Sequence, residues 1–139
     1  MTIPASDPLF RKISQDPFAK SLGIELQELR PGYSRVAMTI TPEMMNFHGT
    51  PHGGAIFSLA DAAFAAAGNF HGQAAVALSM TIQYLAVAEP GTRLVAEAQE
   101  LRKGNRTGFY QITVKTQSGE LIATCQAVVH RKSELLIGG

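Results

Sequence analysis

The chain has 139 residues, a length typical of one domain, and a formal net charge of +1 from 12 basic and 11 acidic side chains. This balance lacks the strong excess of basic residues that is typical of a nucleic-acid-binding protein, so we expect no nucleic-acid partner. Cys125 is the only cysteine, which excludes an internal disulfide and is typical of a reducing compartment. Because the N-terminus lacks a signal-peptide pattern and no apolar run reaches membrane-spanning length, we expect a cytoplasmic protein.

Residues 1–22 are predicted to form a helical segment at the start of a single domain over residues 1–139. Asp7-Pro8 and Asp16-Pro17 each place an aspartate at the N-cap and a proline at the first helical position, so we predict two short helices. The rest of the chain contains no linker, charge block or low-complexity segment that indicates a second domain.

Two strands are predicted next, over residues 24–29 and 33–41, and an Arg-Pro-Gly turn joins them. In the second strand Val36, Met38 and Ile40 alternate with other residues, which is the period of a half-buried strand. These strands precede the longest predicted helix.

That helix, over residues 54–68, is apolar on nearly every face, so we expect it to be buried, with the sheet curled around it. Its only acid is Asp61. A carboxylate in such a helix loses its hydration and must be paired, hydrogen-bonded, protonated or used chemically. A structural role, in which the backbone or Ser58 holds Asp61, is the alternative to a catalytic one.

Gly53 and Gly54 stand at the start of this helix. Without side chains they leave backbone N–H groups open at the positive end of the helix dipole, where an anion or oxyanion binds. A simple loop-to-helix turn is the alternative interpretation. An acid and an oxyanion-binding helix start are two parts of an acyl-transfer site.

The chain after the helix is typical of an antiparallel meander. Turn residues separate four strand-like segments, and short turns between consecutive strands indicate antiparallel pairing. The segments are 74–86, 92–102, 107–117 and 121–131. We therefore predict an α+β fold in which an antiparallel sheet of about six strands wraps around one long central helix.

This order of elements resembles the hotdog fold, and one long motif resembles the acyl-CoA thioesterases of the phenylacetate-degradation (PaaI/PaaD) type. The motif begins Asn46-x-His48-Gly-Thr-x-His52-Gly-Gly and continues through Phe57-Ser58-Leu59-Ala60-Asp61 to Asn69. The chain departs from the family pattern after Tyr84-Leu85, where Ala86-Val87 replaces the usual Arg-Pro.

The resemblance implies roles for four residues of the motif. Asp61 is implied as the catalytic carboxylate, acting as general base or as nucleophile, and the Gly53 N–H as the group that polarises the thioester carbonyl. Asn46 is implied to orient the water or the thioester. His52 is implied to line the site and shape the turn. Separately from the resemblance, the position of Ser79 and Thr81 on the strand after the helix makes either one a candidate hydrogen-bond partner for Asp61.

Arg102, Lys103 and Arg106 surround the predicted turn after the second meander strand, and we call these three residues the basic turn. One interpretation is a solvated hairpin; the other is that they bind the phosphates of CoA. Gly54 is the further residue that we assign to substrate binding.

A zinc site formed by His48, His52 and Asp61 is the metal alternative. Pro51 and the glycines keep the two histidines off a helix, so they lack the spacing of a helical zinc motif. We expect no metal and no cofactor, CoA being part of the substrate.

The prediction is a homo-oligomeric acyl-CoA thioesterase that hydrolyses an aromatic, phenylacetyl-type acyl-CoA to the free acid and CoA. Eight helical residues place Asp61 roughly 12 Å along the axis from Gly53, so we expect a homodimer with sites shared between chains. The resemblance implies the same arrangement, often in a homotetramer built as a dimer of dimers. An acyl-CoA-binding sensor would not need Asp61, and a hydratase or dehydratase would need a second acid–base group beside it.

Overall fold

A computed structural model describes residues 1–137 and contains the predicted α+β arrangement, with one long helix against a six-stranded antiparallel sheet. The helices are α1 (Pro8–Ser14), α2 (Pro17–Ser21) and α3 (Gly53–Gly68), and Pro42–Met44 forms a short 3-10 helix. The strands are β1 (Glu25–Arg30), β2 (Tyr33–Thr39), β3 (Gln73–Tyr84), β4 (Arg93–Lys103), β5 (Thr107–Thr116) and β6 (Leu121–Leu135).

The sheet has the strand order β1-β2-β4-β5-β6-β3, and every neighbouring pair is antiparallel. Strands β1 and β3 therefore form its two edges. In the part of the chain that the structure describes, no strand pairs with the outer edge of β3. Several large apolar side chains on and just after this strand are exposed: Val76, Leu78, Tyr84, Leu85 and Val87.

The two N-terminal helices begin at the predicted caps. The Asp7 carboxylate accepts a hydrogen bond from the Leu9 N–H at 2.8 Å, and the Asp16 carboxylate accepts one from the Ala19 N–H at 2.9 Å. Before α1, the Ile3 N–H donates to the Leu29 carbonyl of β1 at 2.9 Å. The N-terminal segment thereby covers part of the β1 edge.

Helix α3 packs one side against the sheet, and this contact forms most of the core. Leu59, Ala60, Ala63 and Ala67 have no exposed surface. Alanine on the helix allows the strands to approach closely.

The other side of α3 is less covered than the sequence predicts. Gly54 and Ala65 are exposed, and Ser58, Asp61 and Ala62 are partly exposed. The physical reason is that one sheet reaches around only part of a helix. The short N-terminal helices add a little cover, α2 by contacting α3 and α1 by packing Phe10 against Ala66. The apolar pattern of α3 thus leaves a surface that one chain does not bury. No helix within residues 1–137 has the length and apolarity to cross a membrane.

A cluster of polar side chains lies at the C-terminal end of α3. One Glu100 carboxylate oxygen accepts from the Tyr110 hydroxyl at 2.6 Å and from the Arg131 guanidinium at 3.1 Å, and lies 3.1 Å from the His71 ring nitrogen. Burial opposes ionisation of Glu100, but these hydrogen bonds and the Arg131 charge outweigh it and lower its pKa. Arg131 is 2% exposed, and its Nε and Nη1 have no partner among the described residues.

Candidate active site

His52 caps the N-terminus of α3. Its Nδ1 accepts a hydrogen bond from the Gly54 N–H at 2.8 Å, and its carbonyl accepts from the Ala55 N–H at 3.0 Å. The Gly53 N–H has no acceptor among residues 1–137. The helix start therefore presents one free donor, that of Gly53, while the Gly54 N–H is occupied by the cap.

Asn46 organises the loop before α3. Its side-chain oxygen accepts from the His48 N–H at 3.0 Å, the Thr50 N–H at 3.2 Å and the Thr50 hydroxyl at 3.1 Å. The Asn46 side-chain oxygen therefore stabilises a turn in this loop, as the sequence predicts for an asparagine before a glycine-containing loop. The amide nitrogen of Asn46 makes no hydrogen bond within the described part of the chain, so its two N–H groups stay available.

Asp61 lies in the middle of α3 and is partly exposed. Within residues 1–137 its carboxylate makes no hydrogen bond or ion pair. Ser58, the structural partner considered above, donates to the Gly54 carbonyl at 2.8 Å instead. Ser79 and Thr81 are exposed, and neither is hydrogen-bonded to Asp61.

The environment of Asp61 makes its carboxyl group harder to ionise than one in water. Burial, and then the negative charge of Asp16, raise the pKa of Asp61 above its usual range. Both acids line one cavity of about 590 Å³ between the N-terminal segment, α3 and the first three strands. Its apolar lining includes Ile24, Leu26 and Val36. A partly desolvated carboxylate in an apolar cavity is typical of a catalytic acid–base group.

A single chain does not bring Gly53 and Asp61 together. They lie eight residues apart on one continuous helix, which corresponds to roughly 12 Å along the axis. An aspartate side chain is too short to cross this distance.

Tyr84, which the sequence does not single out as a site residue, contacts the helix start. Its hydroxyl donates to the Gly53 carbonyl at 3.1 Å. A Cβ placed on Gly53 would lie 3.2 Å from the Tyr84 ring, so the ring lies directly beside this residue. The only sequence signal for this contact is an aromatic residue at the end of the strand after the helix.

The basic turn lies at the opposite end of α3 from Gly53. The Arg131 N–H donates to the Arg106 carbonyl at 2.7 Å, and the same end of the sheet holds the contact between His71 and Glu100. All three side chains of the basic turn are exposed. Within one chain, therefore, these cations do not approach the free N–H of Gly53.

The histidines near α3 are not grouped with Asp61. Among residues 1–137, no three His, Cys, Asp or Glu side chains are placed to hold a metal ion together. The set His48, His52 and Asp61 is therefore not assembled in the described chain.

Comparisons with known proteins place the chain in a family. Residues 48–123 match the thioesterase superfamily. The acyl-coenzyme A thioesterase PaaI of Escherichia coli K12 is 41% identical over 88% of this chain and 88% of its own length. The structure of E. coli PaaI, a protein of the phenylacetic acid degradation operon, superimposes with a TM-score of 0.85 at 38% identity, over 91% of this chain and 98% of that one.

A mutant structure of the phenylacetic acid degradation protein PaaI from Thermus thermophilus has a TM-score of 0.81 at 38% identity, and the match covers 84% of this chain and 100% of that one. These matches confirm the hotdog fold and the PaaI-type resemblance predicted from the motif. The chain therefore belongs to the thioesterase superfamily, as a thioester hydrolase of the PaaI type.

Proposed function

We propose that this chain hydrolyses acyl-CoA thioesters, with Asp61 as base or nucleophile and the Gly53 N–H polarising the thioester carbonyl. One observation carries the proposal: α3 holds both a free N–H at its start and an unpartnered carboxylate in the wall of a cavity. The name of the E. coli relative, an acyl-coenzyme A thioesterase, supports CoA as the leaving group.

As general base, Asp61 removes a proton from a water molecule, and the water oxygen bonds to the carbonyl carbon. The negative charge that develops on the carbonyl oxygen is stabilised by the Gly53 N–H and the helix dipole. The carbon–sulfur bond then breaks, and the thiolate of CoA leaves and is protonated. As nucleophile, Asp61 would bond to the carbonyl carbon itself, the carbon–sulfur bond would break to release the thiolate of CoA, and water would hydrolyse the resulting anhydride to the free acid and the Asp61 carboxylate.

The proposed site needs two chains. A reacting group must lie within about 3–3.5 Å of the carbonyl carbon, whereas Asp61 lies far along the helix from Gly53 of its own chain. A second copy with its α3 antiparallel to the first would place Asp61 beside Gly53 of the partner subunit. Two-fold symmetry would make two equal sites.

Two surfaces of the single chain support such a pair. The uncovered side of α3 carries Asp61 and small residues, which allow a second helix to approach closely. The outer edge of β3 leaves backbone N–H and C=O groups unpaired beside exposed apolar side chains, and such an edge pairs readily with another strand. We propose that these surfaces form the dimer, and that dimers associate further into a tetramer.

The cavity at Asp61 is proposed to take the acyl group. Its volume of about 590 Å³ lies in the range of small-molecule sites. The apolar lining, with Ile13 and Phe18 from the N-terminal segment, suits an aromatic ring better than a charged group. The phenylacetic acid degradation named for the E. coli and Thermus relatives supports a phenylacetyl-type substrate.

The basic turn is proposed to bind the CoA phosphates. In an antiparallel pair, the C-terminal end of one α3 faces the N-terminal part of the other. The basic turn of one chain would therefore approach Gly53 of the partner subunit, the half of the site that the thioester carbonyl occupies. Three exposed cations would also attract the polyanionic CoA moiety from solution.

Asp61→Asn tests the proposal. Against a panel of acyl-CoAs that includes phenylacetyl-CoA, we expect the variant to have a kcat at least about a hundredfold lower, because an amide cannot act as base or nucleophile. Asp7→Asn is the matched control, since Asp7 caps the start of α1 and does not line the cavity. Near-normal turnover of Asp61→Asn in a contamination-controlled preparation would disprove the mechanism. A loss of activity in EDTA that zinc restores would instead support the metal alternative.

A further inference from the structure

The peptide unit between Gly53 and Gly54 is held at both of its polar atoms. Its carbonyl oxygen, on Gly53, accepts from the Tyr84 hydroxyl at 3.1 Å. Its N–H, on Gly54, donates to the His52 ring at 2.8 Å. Two side chains from different elements thus fix one peptide plane, next to the free N–H of Gly53.

The hydrogen bond from Tyr84 is not needed to satisfy a buried group. Within the single chain Tyr84 is 50% exposed, so its hydroxyl is not a buried group that requires this partner. The Gly53 carbonyl, inside an α-helix, also accepts from the N–H four residues later. The contact therefore serves to fix the position of the two groups rather than to pair a buried orphan.

Two successive glycines make the backbone at the start of α3 more flexible than other residues would, so hydrogen bonds that fix this peptide plane have a larger effect here. Glycine has the widest choice of backbone angles, so two in succession let the peptide planes at a helix start rotate easily. An oxyanion donor is effective only when it is held in place before the charge develops. The Tyr84 ring adds a steric restraint, because it lies where a side chain on residue 53 would be.

We propose that Tyr84 is a positioning residue for thioester hydrolysis: it holds the first turn of α3 so that the Gly53 N–H stays directed at the substrate carbonyl. This inference rests on the proposed function, in which that N–H polarises the thioester. Tyr84 lies on the edge strand β3, so it also connects the sheet edge to the helix start. It acts through Gly53 and takes no part in bond making.

Tyr84→Phe tests the hydrogen bond, since it keeps the ring and removes only the hydroxyl. With an acyl-CoA that the wild type hydrolyses, we expect kcat about two- to tenfold lower, the range for one neutral hydrogen bond, and an unchanged KM. Tyr33→Phe is the matched control: that hydroxyl donates to Glu97 on β4, away from the helix start, and its loss should leave kcat unchanged. Equal kcat for wild type and Tyr84→Phe would overturn the proposal, and so would a raised KM at normal kcat, which would make the hydroxyl a substrate contact.

Amide hydrogen exchange provides a readout that does not depend on activity. In Tyr84→Phe we expect faster exchange in the first turn of α3 and unchanged exchange in its last turn, whereas Tyr33→Phe should change neither. Unchanged exchange in the first turn would overturn the positioning role. If the wild type hydrolyses no acyl-CoA, the proposed function fails, and the exchange comparison still decides whether Tyr84 restrains the helix start.

Discussion

Mixing two inactive variants would show whether the site is shared between chains. Asn46→Ala removes a residue at the loop before α3, on the Gly53 side of the proposed site, and Asp61→Ala removes the carboxylate. Each homodimer then has two defective sites, and both should be nearly inactive. A mixed dimer has one site with both residues intact, because that site takes Asn46 from one chain and Asp61 from the other.

The expected activity follows from the helix geometry and from statistics. The roughly 12 Å between Gly53 and Asp61 along one helix is more than an aspartate side chain can span, so the proposed site needs Asp61 from a second chain. Random reassortment of equal amounts makes about half of the dimers mixed, each with one intact site of two, so about a quarter of wild-type activity should return. Co-refolding followed by an acyl-CoA hydrolysis assay measures this, with two different affinity tags to show that mixed dimers have formed.

A second mixture serves as the control. Wild type reassorted with the double variant Asn46→Ala/Asp61→Ala should give about a quarter of the activity of wild type alone if sites are shared, because every site of the mixed dimer is then defective. Sites contained within single chains would instead give about half, and the two single variants would then fail to complement each other. Demonstrably mixed dimers with no gain over either parent would refute the shared site.

Three further predictions follow from charges in the structure. Replacing all three residues of the basic turn with serine should raise KM, leave kcat nearly unchanged and weaken the salt dependence of KM. A variant with the wild-type KM at low ionic strength would contradict the role of the basic turn in binding CoA. The raised pKa of Asp61 predicts that kcat falls as the pH falls through that pKa, and Asp16→Asn, by removing a negative charge, should move this limb to lower pH. Glu100→Ala should lower the free energy of unfolding, measured by denaturant titration, by about 3 kcal/mol because it leaves Arg131 buried without its counter-charge. Glu120 is exposed, so Glu120→Ala should have little effect on this free energy.

Local signals in the sequence are sufficient to predict most of the secondary structure. The capping aspartates begin α1 and α2 at the predicted positions, and β5, predicted over 107–117, spans Thr107–Thr116. Strand β6 extends to Leu135, four residues beyond the predicted end at 131. Its last residues pair with the start of β3, where Leu135 lies opposite Gln73. A pairing between residues so far apart leaves no local pattern in the chain.

The site is predictable only where its contacts are local. The sequence indicates turn chemistry at Asn46 and a role for His52 in shaping the turn, and both depend on residues within four positions. The contact between Tyr84 and Gly53 joins residues 31 positions apart. The sequence also does not show which side of α3 the sheet leaves uncovered. An alanine-rich helix has the same apolar sequence pattern whether the sheet or another molecule covers it.

The two edges of the sheet differ, and this difference limits how copies of the chain can associate. At the β1 edge, Ile3 already donates to the Leu29 carbonyl and α1 packs against the strand. The β3 edge has no such cover in the described part of the chain. A sheet with one open edge can be extended once by an antiparallel copy, and that pairing uses up the open edge of both chains. Association through strands then stops at two, so a long apolar edge strand is retained without the risk of fibrous growth.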